Sequence, residues 1–234
     1  MALEWQVFLE DDGGGRTYLE WMFDAWGWTL SVAGSAWVVA MVAGVLMGTL
    51  RTLPNSPWLA RLANAWVELF RNIPLLVQIF LWYFVVPEIV PALKQLPSFL
   101  LVVMALGFFT SARISEQVKA GIQSLPRGQW MAAQALGLTR WQTYRHVILP
   151  VALRIVVPPL TSEAMSIVKN SSVAFAVSVP ELVMFARQAQ EETSRGIEIY
   201  LAVTLLYAVT SLSVYGVARL IERQLKVPGL MEGR

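Results

Sequence analysis

Ionisable side chains interrupt two stretches of this chain that are otherwise apolar. Arg113 lies deep in one of them, roughly 24 Å along a helix axis at about 1.5 Å per residue. Glu163 lies in another, shortly after Pro158 and Pro159. Charges at membrane depth are costly, so they face a cavity or a partner. The guanidinium of Arg113 suits bidentate binding of a carboxylate, and Glu163 suits a ligand's ammonium group. These side chains therefore predict binding rather than bond breaking.

Both charges also have a structural interpretation. Arg113 and Glu116 are three residues apart in a helix, as are Glu116 and Lys119, so an ion-pair ladder could neutralise itself. We favour the ladder for Glu116 and Lys119, because structural ion pairs are common. For Arg113, pairing with Glu116 is the alternative to ligand contact. For Glu163, the alternative is a salt bridge to Lys169 or to Arg113.

Catalytic chemistry has little support. The chain contains no cysteine and one histidine, His146, which excludes disulfides, thiolate metal sites and cysteine nucleophiles. No plausible span contains a pair of carboxylates that forms a catalytic set. We predict no catalytic residues, no metal site and no enzyme activity. The net charge of +2 is too small to favour nucleic-acid binding.

The elements that must position these charges are membrane helices. Hydrophobic residues make up 56% of the chain and charged ones 15%, with a mean hydropathy of +0.54. A helix needs about 20 apolar residues to cross about 30 Å of hydrocarbon. The sequence predicts an all-α membrane protein with five transmembrane helices, and Pro158 and Pro159 are expected to break or kink the fourth. The expected spans are residues 25–50, about 66–86, 96 to about 122, about 151–172 and 199–220.

Loop charges predict the orientation, because Lys and Arg accumulate on the cytoplasmic side. Segment 1–24 is acidic, whereas loop 51–61, the loop at about 124–149 and the tail 223–234 are basic. We expect an outward-facing N-terminal segment, a transmembrane domain over 25–222, and a cytoplasmic loop and tail.

The cytoplasmic loop carries a spaced motif. It resembles the ATPase-docking loop of ABC-importer permeases, which runs Glu-Ala-Ala, three residues, Gly, nine residues, Ile, any residue, Leu-Pro. The matching residues are Ala132, Ala133, Gly137, Leu149 and Pro150, with Val147 in the Ile place and Met131 where the family usually has Glu. The resemblance implies that Met131, Ala132, Ala133, Gly137, Leu149 and Pro150 dock the ATPase.

Other segments narrow the resemblance. Residues 68–78, and residues 169–172 followed by 179–182, look like signatures of the polar amino acid permeases. Residues 112–113 before 116–118, and residues 158–163, look like the glutamate/aspartate permeases. The resemblance implies the type I ABC-importer permease fold and an ATP-driven importer for polar amino acids, with glutamate and aspartate as the expected substrates. Arg113 and Glu163 are the expected substrate-binding residues.

The resemblance also implies partners. No G-x-x-x-x-G-K-[ST] phosphate loop occurs, so ATP should be bound by a separate ABC subunit and no cofactor is expected in this chain. A second permease, either a paralogue or another copy, should complete the pathway. A periplasmic solute-binding protein should deliver substrate at the outer face of the bacterial inner membrane.

The alternative function is an ion-gradient-driven secondary amino acid transporter. Charged residues within the third and fourth spans fit it. The small size, the lack of an inverted repeat and a docking loop with no purpose in such a carrier argue against it. Transport that survives ATP depletion while an ion gradient is held would favour this alternative.

Overall fold

The computed structural model describes residues 3–54 and 56–225, and these residues are almost entirely helical. Within these ranges the structure has no strand, only an isolated bridge between Asp11 and Thr17. The α-helices are α1 (Tyr18–Leu50), α2 (Pro57–Asn72), α3 (Leu75–Phe80), α4 (Val86–Ile89), α5 (Ser98–Gln123), α6 (Arg127–Ala135), α7 (Arg140–Thr143), α8 (Leu149–Asn170), α9 (Leu182–Thr193) and α10 (Gly196–Leu225). The all-α prediction is confirmed. Residues 226–234, most of the expected tail, lie outside the described residues.

Four helical segments of the described chain are long and apolar enough to cross a membrane. They are α1, α5, Arg140–Val177 and α10. The predicted second span is instead a bent pair, Pro57–Asn72 with Leu75–Ile89, which turns by 107° at its break. Pro74 accounts for the break, since it lacks an N–H donor and disfavours helical geometry at the residue before it. The count reaches five spans if this pair is one.

The expected break at Pro158 and Pro159 is absent. Helix α8 runs through both prolines from Leu149 to Asn170. The prolines remove two N–H donors, but membrane helices tolerate this when other groups satisfy the freed carbonyls. The departure from α-helical hydrogen bonding lies before α8, in the π-helical turn Tyr144–Ile148. Glu163 therefore lies within a continuous helix.

The chain divides into two compact units. Unit 1 comprises Met1–Val39, Ile73–Gly107 and Met165–Ser213, and unit 2 comprises Ala40–Asn72, Phe108–Ala164 and Val214–Arg234. Arg113, Glu163 and the whole predicted docking loop belong to unit 2, so its packing decides the geometry of both candidate sites.

Within unit 2, α1 packs closely against α5 through two glycines. A Cβ atom on Gly44 would lie 2.6 Å from the side chain of Ile114, and one on Gly48 would lie 2.7 Å from that of Val118. Gly44 and Gly48 form a GxxxG motif, and this motif serves helix packing inside the chain. On α2, Trp66 donates its indole N–H to Ser111 of α5 at 3.0 Å. Helix α5, which carries Arg113, thus contacts both α1 and α2.

In unit 1 the acidic N-terminal segment packs onto α9. Val7 and Phe8 are buried in a cluster that includes Leu182 and Phe185. Arg195 forms ion pairs with two acidic residues of this segment, Glu4 at 2.9 Å and Glu10 at 2.8 Å. The acidic N-terminal segment therefore packs against α9 through buried apolar side chains.

A buried carboxylate begins α9. Glu181 has no exposed surface and accepts hydrogen bonds from the backbone N–H groups of Val183 and Met184, both at 2.9 Å. It also accepts one from the Tyr207 hydroxyl at 2.8 Å. Burial raises the pKa of Glu181 to about 7, and the backbone hydrogen bonds oppose that rise. This N-cap fixes where the short helix starts.

Candidate functional site

Arg113 and Glu163 lie together in unit 2. The Nη1 atom of Arg113 on α5 is 3.7 Å from the Oε2 atom of Glu163 on α8. The side chain of Arg113 is 45% exposed and that of Glu163 is 14% exposed. Of the two partners weighed from the sequence for Glu163, Lys169 and Arg113, the structure brings Arg113 to it, so Arg113 pairs with Glu163 rather than with Glu116. This distance marks a loose ion pair rather than a hydrogen bond.

Gln117 completes the cluster, one helical turn after Arg113. Its Nε2 atom donates to Oε1 of Glu163 at 3.3 Å. Its own Oε1 atom and Oε2 of Glu163 are buried and accept no hydrogen bond. Buried acceptors without donors are costly. The cluster Arg113–Gln117–Glu163 therefore offers acceptors to a ligand's N–H groups and an accessible guanidinium to its carboxylate.

The sequence reasoning did not select Gln117. Its spacing of four residues from Arg113 on one helix face was the available signal, but an uncharged amide in a span carries less weight than a charge. Arg113 also lies over the ring of Phe109, with Cζ 5.0 Å from the ring centroid. This cation–π contact holds the guanidinium while leaving its edge accessible.

Glu116 belongs to a different network. Its Oε1 atom is 2.9 Å from Nη2 of Arg51 and 3.7 Å from Nη1 of Arg71. The predicted ladder with Lys119 is therefore wrong, because an arginine brought in from the end of α1 reaches the carboxylate instead. Arg71 also pairs with Glu68, three residues earlier on α2, at 2.9 Å.

The predicted docking loop folds as two short helices. Helix α6 ends in a Schellman motif, in which Leu138 N–H donates to the carbonyl of Ala133 at 3.1 Å and Gly137 N–H donates to that of Gln134 at 2.9 Å. Gly137 has φ +73°, a conformation that favours glycine. Helix α7 then starts with a capping box between Thr139 and Gln142. The backbone conformation at the end of α6 thus explains why the motif has a glycine at position 137.

The same segment presents apolar side chains outward. Met131 is 64% exposed and Leu136 is 79% exposed, while Ala132 and Pro150 are also exposed and Leu149 is half-buried. Ala133, in contrast, is only 2% exposed and packs into unit 2. Exposed apolar side chains mark an interaction site where they lie together. We name this outward surface, made by Met131, Ala132, Leu136 and Pro150, the loop surface.

Comparison with known proteins decides the family. Residues 40–227 match the family described as the inner membrane component of binding-protein-dependent transport systems. The chain belongs to this family. The match includes the Arg113–Gln117–Glu163 cluster and the loop surface. The protein is therefore a multi-pass permease of the inner membrane and not an enzyme.

Individual relatives agree with the family. The chain is 41% identical to the glutamate/aspartate import permease protein GltJ of Escherichia coli (strain K12), over 100% of both chains. It is 34% identical to the probable glutamine ABC transporter permease protein GlnP of Bacillus subtilis (strain 168), over 88% of this chain and 94% of that one.

A solved structure shares the fold. The crystal structure of an amino acid ABC transporter with histidines has a chain 26% identical to this one, with a TM-score of 0.79, covering 96% of this chain and 100% of that chain. The type I ABC-importer permease fold is thus confirmed. Permeases of such importers work with an ATPase subunit, a second permease and a substrate-binding protein.

Proposed function

We propose that this permease is one subunit of an ATP-driven importer for glutamate and aspartate. The observation that carries the proposal is the Arg113–Gln117–Glu163 cluster, in which an accessible guanidinium lies 3.7 Å from a carboxylate oxygen that accepts no hydrogen bond. The full-length similarity to a glutamate/aspartate import permease supports the same substrates.

The cluster suits an acidic amino acid. Such a substrate carries two carboxylates and one ammonium group, so its site needs a positive contribution from the protein. Arg113 supplies that charge with a planar fork of donors. Oε2 of Glu163 and Oε1 of Gln117 accept from the ammonium group. Because the resting ion pair is loose, the substrate replaces one long contact with several shorter ones.

The loop surface is the proposed contact with the ATPase. Met131, Ala132, Gly137, Leu149 and Pro150 stand at the positions that dock the ATPase in this family, and the exposed apolar side chain of Leu136 extends the surface. Met131 replaces the usual glutamate, so this edge of the contact is apolar rather than ionic. Ala133, which is buried, supports the segment from inside.

The proposed orientation follows the loop charges. The acidic segment 1–24 faces the periplasm, where a solute-binding protein docks, and the loop surface faces the cytoplasm, where ATP is. A second permease, either a paralogue or another copy, completes the pathway. Labelling of a cysteine introduced at Thr139 by an impermeant reagent outside intact cells would contradict this orientation.

Stimulated ATP hydrolysis tests the proposed substrates. The assembled transporter in proteoliposomes, together with its binding protein, should hydrolyse ATP faster when glutamate or aspartate is added. Lysine, which lacks the second carboxylate, should not stimulate it. Equal stimulation by lysine and glutamate, or none by glutamate, would refute the substrate assignment.

A further inference from the structure

All three guanidinium nitrogens of Arg51 form hydrogen bonds inside unit 2. It is the first residue after α1, and its side chain is only 6% exposed. Its Nε donates to Oδ1 of Asn64 at 2.7 Å, its Nη1 to Oγ of Ser115 at 3.3 Å, and its Nη2 to Oε1 of Glu116 at 2.9 Å. A cation also suits this position because it lies at the C-terminal end of a helix dipole. Arg51 therefore ties the end of α1 to both α2 and α5.

The residues that follow Arg51 form hydrogen bonds with side chains of the predicted docking loop. The hydroxyl of Tyr144 donates to the carbonyl of Thr52 at 2.6 Å. Nη1 of Arg140, the first residue of α7, donates to the carbonyl of Pro54 at 3.4 Å. The short stretch 51–54 is thus fastened to α5 at one end and to the segment after the loop surface at the other.

The series of contacts continues from Arg51 to the Arg113–Gln117–Glu163 cluster. Its partner Glu116 is the neighbour of Gln117 and lies three residues after Arg113, all on helix α5. Gln117 in turn donates to Glu163 on α8. Hydrogen bonds, ion pairs and one turn of rigid helix therefore join Arg140 and Tyr144 to the Arg113–Gln117–Glu163 cluster without interruption.

We infer that Arg51 is a positioning residue that couples the ATPase-docking segment to the substrate cluster. This inference rests on the proposed functions of the ATPase-docking loop and of the Arg113–Gln117–Glu163 cluster. Movement of α7 with the ATPase displaces stretch 51–54, and Arg51 passes that displacement to the Glu116 face of α5. Coupling between two sites is reciprocal, so substrate in the cluster must bias the docking segment by the same factor.

The test uses Arg51→Gln in the assembled transporter with its binding protein. Allosteric couplings typically amount to about 5–150-fold. We expect glutamate stimulation of ATP hydrolysis to fall by about fivefold or more, with basal hydrolysis retained. The affinity of the site for labelled glutamate should also lose its dependence on a non-hydrolysable ATP analogue. Arg51→Lys, which keeps the charge but not the fork, should recover part of both effects.

Arg71→Gln is the matched control, because Arg71 also pairs with Glu116 but reaches it from α2 and not from stretch 51–54. It should leave the stimulation factor close to that of the wild type. Tyr144→Phe removes the contact to Thr52 at the other end and should reduce stimulation as Arg51→Gln does. The double variant should be no worse than the more severe single one, because both act in one series of contacts.

The outcomes separate the inference from the function on which it rests. The inference would be overturned if Arg51→Gln kept wild-type glutamate stimulation and a nucleotide-dependent affinity for glutamate. It would also be overturned if Arg71→Gln lost as much glutamate stimulation as Arg51→Gln. If Arg51→Gln fails to assemble, Tyr144→Phe decides, and full stimulation in that variant overturns the inference. A wild-type transporter that glutamate does not stimulate refutes the proposed substrates instead.

Discussion

Arg113→Gln is expected to reduce transport of glutamate and aspartate severely while sparing a neutral amino acid such as glutamine. Loss of one partner of a desolvated, hydrogen-bonded charge pair costs about 2–5 kcal/mol, or about 30-fold or more in affinity. The second carboxylate of an acidic substrate is the group that loses its partner. Competition for uptake between labelled glutamate and unlabelled amino acids in the assembled transporter measures the change.

Glu163→Gln is the comparison variant. It removes the acceptor for the ammonium group that every amino acid carries, so it should weaken acidic and neutral substrates alike. If Arg113→Gln also depresses both classes equally, or lowers only the amount of protein in the membrane, Arg113 serves as the structural partner of Glu163. The acidic specificity would then rest on similarity to relatives alone.

Leu136→Asp is expected to detach the ATPase. Leu136 is 79% exposed on the loop surface, so the change places a charge in the proposed contact without disturbing the interior of unit 2. The few hot-spot residues near the centre of an interface cost about 2 kcal/mol or more when they are lost, so a charge at such a position should weaken binding by about 30-fold or more. Native mass spectrometry of the gently solubilised complex should show the permeases without their ATPase subunits.

Gln123→Asp provides the control for charge. Gln123 is exposed at the end of α5, outside the two short helices, and its variant should keep the ATPase bound. Met131→Ala, which only trims the apolar edge, should weaken the complex less than Leu136→Asp. Retention of the full complement of ATPase subunits by Leu136→Asp would contradict the assignment of the loop surface.

The fold was largely predictable from the distribution of apolar residues. A run such as 25–50 has no alternative to a membrane helix, and the spacing from Ala132 to Pro150 indicated the docking segment. The 107° turn between α2 and α3 was harder to predict from the sequence. Pro74 marks where a helix must stop, but the direction of the next helix depends on the packing around it.

The pairing of charges was the harder problem. Helical spacing places Arg113, Glu116 and Lys119 within reach of one another, but it cannot tell which charges other helices bring nearby. Arg51 reaches Glu116 from the end of α1, and this leaves Arg113 to Glu163 on α8. Local rules describe what can meet within one helix, and tertiary packing selects among those options.

The burial of individual motif residues also could not be predicted from the sequence. Ala132 and Ala133 are equivalent as a motif, yet the first is exposed and the second is 2% exposed. Ala133→Asp would therefore bury a charge and disturb the fold, whereas a change at Leu136 tests the contact itself. The prolines of α8 show the same limit, because tolerance of a missing donor depends on its surroundings.

Uptake of labelled glutamate into proteoliposomes tests the central claim most directly. The assembled transporter should accumulate glutamate only when ATP is supplied on the side of the ATPase subunits and the binding protein is on the other. Dissipating all ion gradients should leave that uptake unchanged, and a non-hydrolysable ATP analogue should abolish it. Uptake that follows an imposed proton or sodium gradient without ATP would contradict the account and identify a secondary transporter.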